Sequence, residues 1–413
     1  MTAAPIAEGT APAVLGVETI MRWLYENRDR AFLWNDLTQR TKADPADAAA
    51  WLDLSFLMQA LGQREQALRI QAAATTLQPV YRRVFGSGAG PRVAAFMAAG
   101  DLMANTPIDF LLQGSDATLF YVYVAADTPH LPDMPDLDAA FLAVGPSAEN
   151  RPILENLGRL LRDWRGPKVM NGNPTSIDRL TRDGVAALLS GEETILSPAT
   201  AKVSREELQA LAAGDRPVGA LLAGHGFPLV ARPEETHAGE GMARVTVAGD
   251  LAAYLDTHRD DAFFISPFVD YSSPDGLFRK QRIVFIDGEA FPSHQAVSEH
   301  WIVHYLSAGM LEHADRRHEE ARWMETFRTD FAVRHAGAFA ALSQSVGLDY
   351  FGIDCAQTHD GRLLVFEVDI AMIVHDMDSE TIFPYKKPAM RQVFATFQRS
   401  LLDHGAGSAD AEG

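Results

Sequence analysis

Three carboxylates, Asp354, Glu367 and Asp369, sit inside two apolar runs, "YFGIDCA" and "RLLVFEVDI", that flank "THDG". Asp360-Gly361 is the preferred central pair of a two-residue hairpin turn, because both positions there take positive φ. In that register Asp354 lies opposite Glu367, and Asp369, two residues further, points to the same face. Like charges opposite one another on a sheet repel, weakly in water and more strongly when desolvated. A divalent cation removes that repulsion, and Mg²⁺ is commonly held by one or two carboxylates plus phosphate oxygens. The alternative is an exposed hairpin end with solvated acids. Leu363, Val365, Phe366 and Val368 make both faces largely apolar and weigh against it.

Other stretches carry charge suited to a polyanion. "FPLVARPEETHAGEGMARVTV", 227 to 247, reads as a strand, a loop and a strand. The loop from Glu235 to Met242 could cover phosphates with backbone N–H groups, with Gly239 and Gly241 letting the backbone approach. It is not a P-loop, since it lacks Gly-Lys-Ser/Thr and a strand follows; an ordinary hairpin loop is the competing reading. Arg232, on the strand before it, offers a cation. "AFFISPFV" is an apolar strand ending in Asp270, and "RKQRIVFIDGEAF" carries Arg279, Lys280 and Arg282 before a turn at Asp287-Gly288. Three basic residues on one strand of an acidic protein suggest polyanion contact, against the reading of a solvated edge strand. "FPSHQAVSEHWIVHYLSAGM" adds His294, His300, Trp301, His304 and Tyr305. A helix over 297–306 would put His300 and His304 on one face. No third ligand or HExxH accompanies them, so a substrate pocket is a better reading than zinc.

The elements that must position these residues follow from pattern. The chain has 413 residues, 47% hydrophobic, with a formal charge of −19, enough for two or three domains and a poor match to a nucleic-acid binder. The lone Cys355 excludes an internal disulfide and, beside Asp354 on a β pattern, reads as a buried inert thiol. "MTAAPIAEGTAPAVLG" lacks the pattern of a secretory signal, and no apolar run reaches the length of a spanning helix. The expectation is a cytoplasmic protein that contacts neither membrane nor nucleic acid, with disordered ends at 1–16 and 403–413. Residues 17–85 read as wholly helical. Within them 50–79 resembles one tetratricopeptide repeat at Trp51, Leu54, Gly62, Ala67, Ala74 and Pro79. "FGSGAGP", 85–91, reads as a linker, and alternating strands and helices imply a small α/β domain over about 90–173. A helix "SIDRLTRDGVAALLS" capped by Ser176 or Thr175 follows. Then come a strand-rich stretch over 217–300, helices over 310–345, the acidic hairpin, and a last helix from about 386 to 402.

That order, with "FGIDCAQTHDGRLLVFEVD" at its end, resembles the ATP-grasp superfamily. Within it, the nearest group is that of ribosomal-protein glutamate ligase, glutathione synthetase and D-alanine–D-alanine ligase. The likeness covers about 90–402. It implies an α+β fold: a small α/β domain, a central lid subdomain, and a C-terminal antiparallel sheet with helices, the last two over 174–402, all preceded by the tetratricopeptide-like helices. It implies ATP and Mg²⁺, with Mn²⁺ as an option, and Asp354, Glu367 and Asp369 as metal ligands, Asp369 standing where the family has Asn. Thr236, His237, Ala238, Gly239, Gly241 and Met242 match the phosphate-covering loop. Ser266, Phe268 and Val269 match the adenine-facing hinge, and Asp270 a ribose contact. Arg282, with Lys280 and Arg232, would stabilise the transferring phosphoryl group. Two family lysines are replaced, by Arg232 and by Gly184, with Arg182 as a stand-in cation. His375, Asp376 and Asp378, in "IAMIVHDMD", fall at the family's acceptor loop, and His294, His300 and His304 are further substrate candidates. The activity implied is carboxylate–amine ligation through an acyl phosphate. Its partners are a small amine or amino acid and a carboxylate, with a peptide or protein docked by the N-terminal helices and a homodimer as options. The alternatives are a non-catalytic nucleotide-binding helical-repeat scaffold or a phosphotransferase.

Overall fold

The computed structural model describes residues 11–234, 236 and 239–407. Four helices come first: α1 (Gly16–Tyr25), α2 (Arg30–Ala43), α3 (Ala48–Ala60) and α4 (Arg64–Leu77). Asp29 and Asp47 cap α2 and α3, their carboxylates accepting from the Ala31 and Phe32 amides and from the Ala50 amide. Gly62, at φ 81°, turns the chain between α3 and α4.

The helices do not form a separate unit. A strand, β1 (Val80–Val84), ends the segment that was expected to be wholly helical. It joins a sheet made with β2 (Arg92–Met97), β3 (Thr118–Tyr123), β4 (Ala139–Leu142) and β5 (Val169–Met170) in the order β1-β3-β2-β4-β5. The other four strands are parallel, and β1 runs antiparallel to β3 at the edge. Residues 85–91 are therefore a connection inside one sheet rather than a linker between domains. The leader is also tied down where it is described: Ala13 bridges Arg82, and the Leu15 and Gly16 amides donate to Asp53 at 2.8 and 3.1 Å. Two short helices, α5 (Ile108–Leu111) and α6 (Arg151–Leu160), accompany this sheet.

The single helix expected after 174 is two, α7 (Pro174–Asp178) and α8 (Arg182–Leu188), capped by Asn173 and Thr181 and not by Ser176 or Thr175. After β6 (Ile195–Leu196) comes the middle layer. It contains β7 (Ala201–Ser204), α9 (Arg205–Ala213), β8 (Leu229–Pro233), β9 (Ala243–Val245), α10 (Ala248–Thr257) and β10 (Ala262–Pro267). Its antiparallel sheet, in the order β7-β10-β8-β9, has its own apolar core around Leu208, Leu229, Leu251 and Phe263.

The last part holds β11 (Phe278–Ile286), β12 (Glu289–Ser298), α11 (Ala314–Thr326), α12 (Phe331–Arg334) and α13 (Ala336–Val346). It continues through β13 (Tyr350–Gln357), β14 (Leu363–Asp369) and α14 (Lys386–Ala406). Its sheet runs β12-β11-β13-β14-β6, antiparallel apart from the β14–β6 pair. α14 extends past the expected end at 402. It fastens the first sheet to the third, since the Phe397 ring meets Phe141 on β4 and Tyr350 on β13. These two layers share one continuous core, whereas the middle layer does not join it. Among the described residues no helix is long and apolar enough to cross a membrane.

Candidate functional site

The register of the third sheet builds a charged row. His294 on β12 pairs with Arg282 on β11, Arg282 with Asp354 on β13, and Asp354 with Glu367 on β14. Directly paired residues share a face, as do residues two apart, so Lys280 and Asp369 join the same surface.

The hairpin reaches this register by an unexpected route. Its turn is not two-residue: Thr358 N–H donates to Arg362 O, and only Gly361, at φ 85°, takes positive φ, which leaves three residues in the loop. A bulge then leaves Phe366 unpaired, because Cys355 faces Val365 while Asp354 faces Glu367. The longer loop and the bulge offset each other. Asp287-Gly288, by contrast, forms the two-residue turn, with both residues at positive φ and Ile286 paired with Glu289.

The three acids are not equivalent. Asp354 is almost fully buried and takes two cations: Arg282 reaches both its oxygens at 2.8 and 3.1 Å, and Lys280 Nζ lies at 2.6 Å. Burial pushes the Asp354 carboxyl up, but Arg282 and Lys280 outweigh it and hold the group well below the usual carboxylate range. Asp369 has no such partner. Its Oδ1 accepts the Ala371 amide at 2.8 Å, yet burial and the neighbouring Glu367 push its carboxyl up to about 6. Cys355, fully buried next to Asp354, has its thiol pushed up, which suits an inert core residue.

The middle layer faces this row with Arg232, and α8 adds Arg182. On β8, Leu229, Ala231 and Pro233 are buried while Val230 and Arg232 take the other face. Arg232 donates to Thr236 O, and Arg182 at the start of α8 reaches the same oxygen at 3.5 Å. Arg232 is depressed to about 10, first by burial and then by Arg182, with Glu367 pulling the other way. Its Nε is buried without a hydrogen-bond partner among the described residues. Gly184 is fixed by local backbone: a Cβ there would come 2.2 Å from Arg179 O, so the α7–α8 junction has no space for a side chain.

Thr236, Gly239, Gly241 and Met242 lie on the described part of the loop; His237 and Ala238 lie outside the described residues. Gly239 and Gly241 have φ 81° and 65°, and a Cβ on Gly239 would come 2.8 Å from Ile302 Cγ2. The loop thus rests on the segment after β12. Ser266 is near the end of β10, and Phe268, Val269 and Asp270 carry the chain to the third sheet. Phe268 N–H donates to Pro228 O at 3.0 Å, and its ring sits under Arg244 at 4.0 Å and against Trp301 at 5.3 Å. Asp270 is exposed and accepts the Ser272 amide at 2.9 Å.

The histidines divide. His294 stacks near Tyr305 at 4.5 Å, and burial with Arg282 and Lys386 depresses it well below its ordinary value. His304 is depressed likewise, by burial and then Lys280 and Arg282. The helix expected over 297–306 does not form, because β12 stays paired with β11 to Ser298 and a loop follows. His300 is consequently exposed and does not share a helical face with His304. His375 lies between the Tyr25 and Phe110 rings.

Two buried polar residues near His294, Glu320 and Lys386, went unread in the sequence. Glu320 on α11 accepts the Gln295 amide at 3.0 Å and the hydroxyls of Tyr305 and Tyr385 at 2.9 and 2.7 Å. Lys386, at the start of α14, lies 3.4 Å from Glu320 and 3.2 Å from Asp378, over the Tyr305 ring. No spacing rule joins positions 305, 320, 378, 385 and 386; only the packing of α11 and α14 does.

No family model and no curated protein matches the chain. Solved structures are similar to it. A RimK-domain ATP-grasp protein from Sphaerobacter thermophilus matches over 75% of this chain and 99% of its own, at 18% identity and TM-score 0.42. A D-alanine–D-alanine ligase from Bacillus anthracis, complexed with ATP, matches over 78% of this chain and 100% of its own, at 15% identity and TM-score 0.42. The VanG D-Ala:D-Ser ligase from Enterococcus faecalis matches over 76% and 99%, at 12% identity and TM-score 0.44.

Proposed function

We propose that this chain is an ATP-dependent carboxylate–amine ligase of the ATP-grasp kind. The observation that carries the reading is the row His294–Arg282–Asp354–Glu367, with Lys280 and Asp369 beside it, faced by Arg232 from a separately cored layer and by Arg182 from α8. Two half-buried arginines near one another, one with a buried unpartnered Nε, are costly unless an anion joins them. Nucleotide phosphates supply that anion, and guanidinium groups take phosphate bidentately.

The donor set fits a hard divalent cation, but unevenly. Among the described residues Glu367 and Asp369 are oxygen donors without a salt-bridging cation of their own, and Asp369 is held at a raised pKa that a metal would reverse. Asp354 instead holds Arg282 and Lys280 in place. In this reading Glu367 and Asp369 carry Mg²⁺ or Mn²⁺, and Asp354 is the clamp that aims two cations. The bound ion would neutralise phosphate charge.

The residues then divide the chemistry. A substrate carboxylate oxygen attacks the γ-phosphorus, the bond to the β-phosphate oxygen breaks, and ADP leaves. Arg282, Lys280 and Arg232 stabilise charge on the transferring group. The amine nitrogen next attacks the acyl carbon of the acyl phosphate, and inorganic phosphate departs. His294 and His304, kept neutral by burial and adjacent cations, are suited to take the amine proton. Residues 236–242 would exclude water from the acyl phosphate.

A second reading, nucleotide binding without turnover, draws on one feature: Arg282 and Lys280 are both engaged by Asp354. ATP, Mg²⁺ and hydroxylamine, with a panel of carboxylic acids, separate the two. A ligase yields ADP, phosphate and a hydroxamate from its acid; a scaffold binds ATP and releases none of them. Docking of a peptide or protein by the N-terminal helices remains part of the proposal. A groove of about 720 Å³ beside Trp51, Ile70 and Leu77 offers space for it.

A further inference from the structure

The segment that follows β14 is gripped by the far end of the chain. Ala371 N–H donates to Asp369, and Met372 folds back over β13 at Gly352, where a Cβ would come 2.7 Å from Met372 Sδ. The segment 371–378 thus begins at the acid face and ends at Asp378, beside Lys386. Its outer side is held by α1. Arg22 Nη2 donates to Asp376 Oδ1 at 2.5 Å, Tyr25 OH donates to Asp378 Oδ1 at 3.1 Å, and the Tyr25 ring lies 6.2 Å from His375. Arg22 is not loose: Glu18 orients it, and Glu18 is itself bound to buried Arg83 on β1. The contacts therefore run from the edge of the first sheet through α1 to the mouth of the charged row.

We propose that Arg22 and Tyr25 are positioning residues for the second-substrate side of the site, acting by holding segment 371–378; this rests on the ligase reading. Neither residue reaches the reacting atoms. Each fixes a carboxylate: Arg22 holds Asp376, and Tyr25 adds to the hold that Lys386 has on Asp378. Holding that segment lowers the ordering required when an amine binds, and leaves the nucleotide side, built on β8 and β11, untouched.

The test uses the full-length chain with hydroxylamine as the probe amine, and hydrogen exchange of residues 371–378. Arg22→Ala should raise the KM for hydroxylamine about tenfold, leave ATP affinity within about twofold, and raise exchange across 371–378. Arg22→Lys should recover most of the KM. Tyr25→Phe, which removes one hydroxyl and keeps the ring, should raise KM about threefold, in keeping with one lost hydrogen bond, and reports even if Arg22→Ala does not fold. Unchanged exchange and KM in both variants, or an equal loss of ATP affinity, overturns the proposal. Absence of any wild-type turnover overturns the ligase reading itself, which is a different result.

Discussion

Arg83 and Arg232 are both guanidinium groups on strands in poorly solvated settings, and their surroundings are opposite. Arg83 on β1 is closed: Asp109 accepts at 2.8 Å, Glu18 at 2.6 Å and Thr19 at 3.0 Å, and the Phe85 ring covers it. Burial works against its charge, yet Asp109 and Glu18 leave it raised. Arg232 on β8 is open: among the described residues it donates only to Thr236 and its Nε has no partner, and the largest charge effect on it comes from another arginine. A buried charge answered by its own chain holds the fold together. One left unanswered is a place for something from outside.

The comparison breaks most sharply at Glu367. Glu367→Gln should lower ATP turnover by about 10²–10³-fold or more, the scale of losing one electrostatic group in a reaction centre, with little change in melting temperature. Steady-state release of ADP checks this, and near-normal turnover would remove the metal assignment. On the closed side, Arg83→Met leaves Asp109 as a buried acid without its cation and Glu18 with Arg22 alone. It should destabilise the fold by about 3–5 kcal/mol, read as a shift of the urea midpoint at constant slope.

Arg232→Ala tests the open side. ATP affinity should fall about 10–150-fold, the equivalent of about 1.5–3 kcal/mol for a charge-assisted hydrogen bond, and Arg232→Lys should keep much of it. Calorimetry showing unchanged ATP binding in Arg232→Ala would place the phosphates elsewhere. The smallest effect concerns Asp369, raised to about 6 by burial and Glu367. Because the folded protein binds that proton more tightly than the unfolded chain, stability from this group is present at low pH and is lost as pH rises from about 4 to about 6. Metal-free Asp369→Asn should therefore melt higher than wild type at pH 7, with the difference closing towards pH 4. The opposite trend would mean that Asp369 is already paired.

Much of the site was legible because strand periodicity puts Glu367 and Asp369 on one face and a hairpin at Asp360-Gly361 brings Asp354 across from them, with Arg282 on the neighbouring strand. The reason for the register was not legible. Asp-Gly fits a two- or a three-residue turn, and Thr358, whose hydroxyl donates to Arg362 O at 3.1 Å, belongs to the longer one. The compensating bulge at Phe366 has no mark in the sequence. β1 falls inside the stretch expected to be wholly helical, and it is a strand because β3 pairs with it at the sheet edge. That finding also changes how the N-terminal segment can be tested. Deleting residues 1–85 would remove β1 and the Arg83 cluster, so point substitutions on α1 are the cleaner probe. Lys386, Glu320 and Arg22 were missed because their partners lie far along the chain.

The bond between Arg22 and Asp376 spans 354 residues of sequence. On a ribosome, α1 emerges well before Asp376. At about 5–20 residues per second, roughly 20–70 s separate the two. For that interval Glu18, Arg83 and Asp109 can already be joined, while Arg22 and Tyr25 present an unfilled side to the nascent chain. Segment 371–378 then docks onto a surface that could pack long before it, so the Arg22–Asp376 and Tyr25–Asp378 contacts form well after α1 has folded against the first sheet.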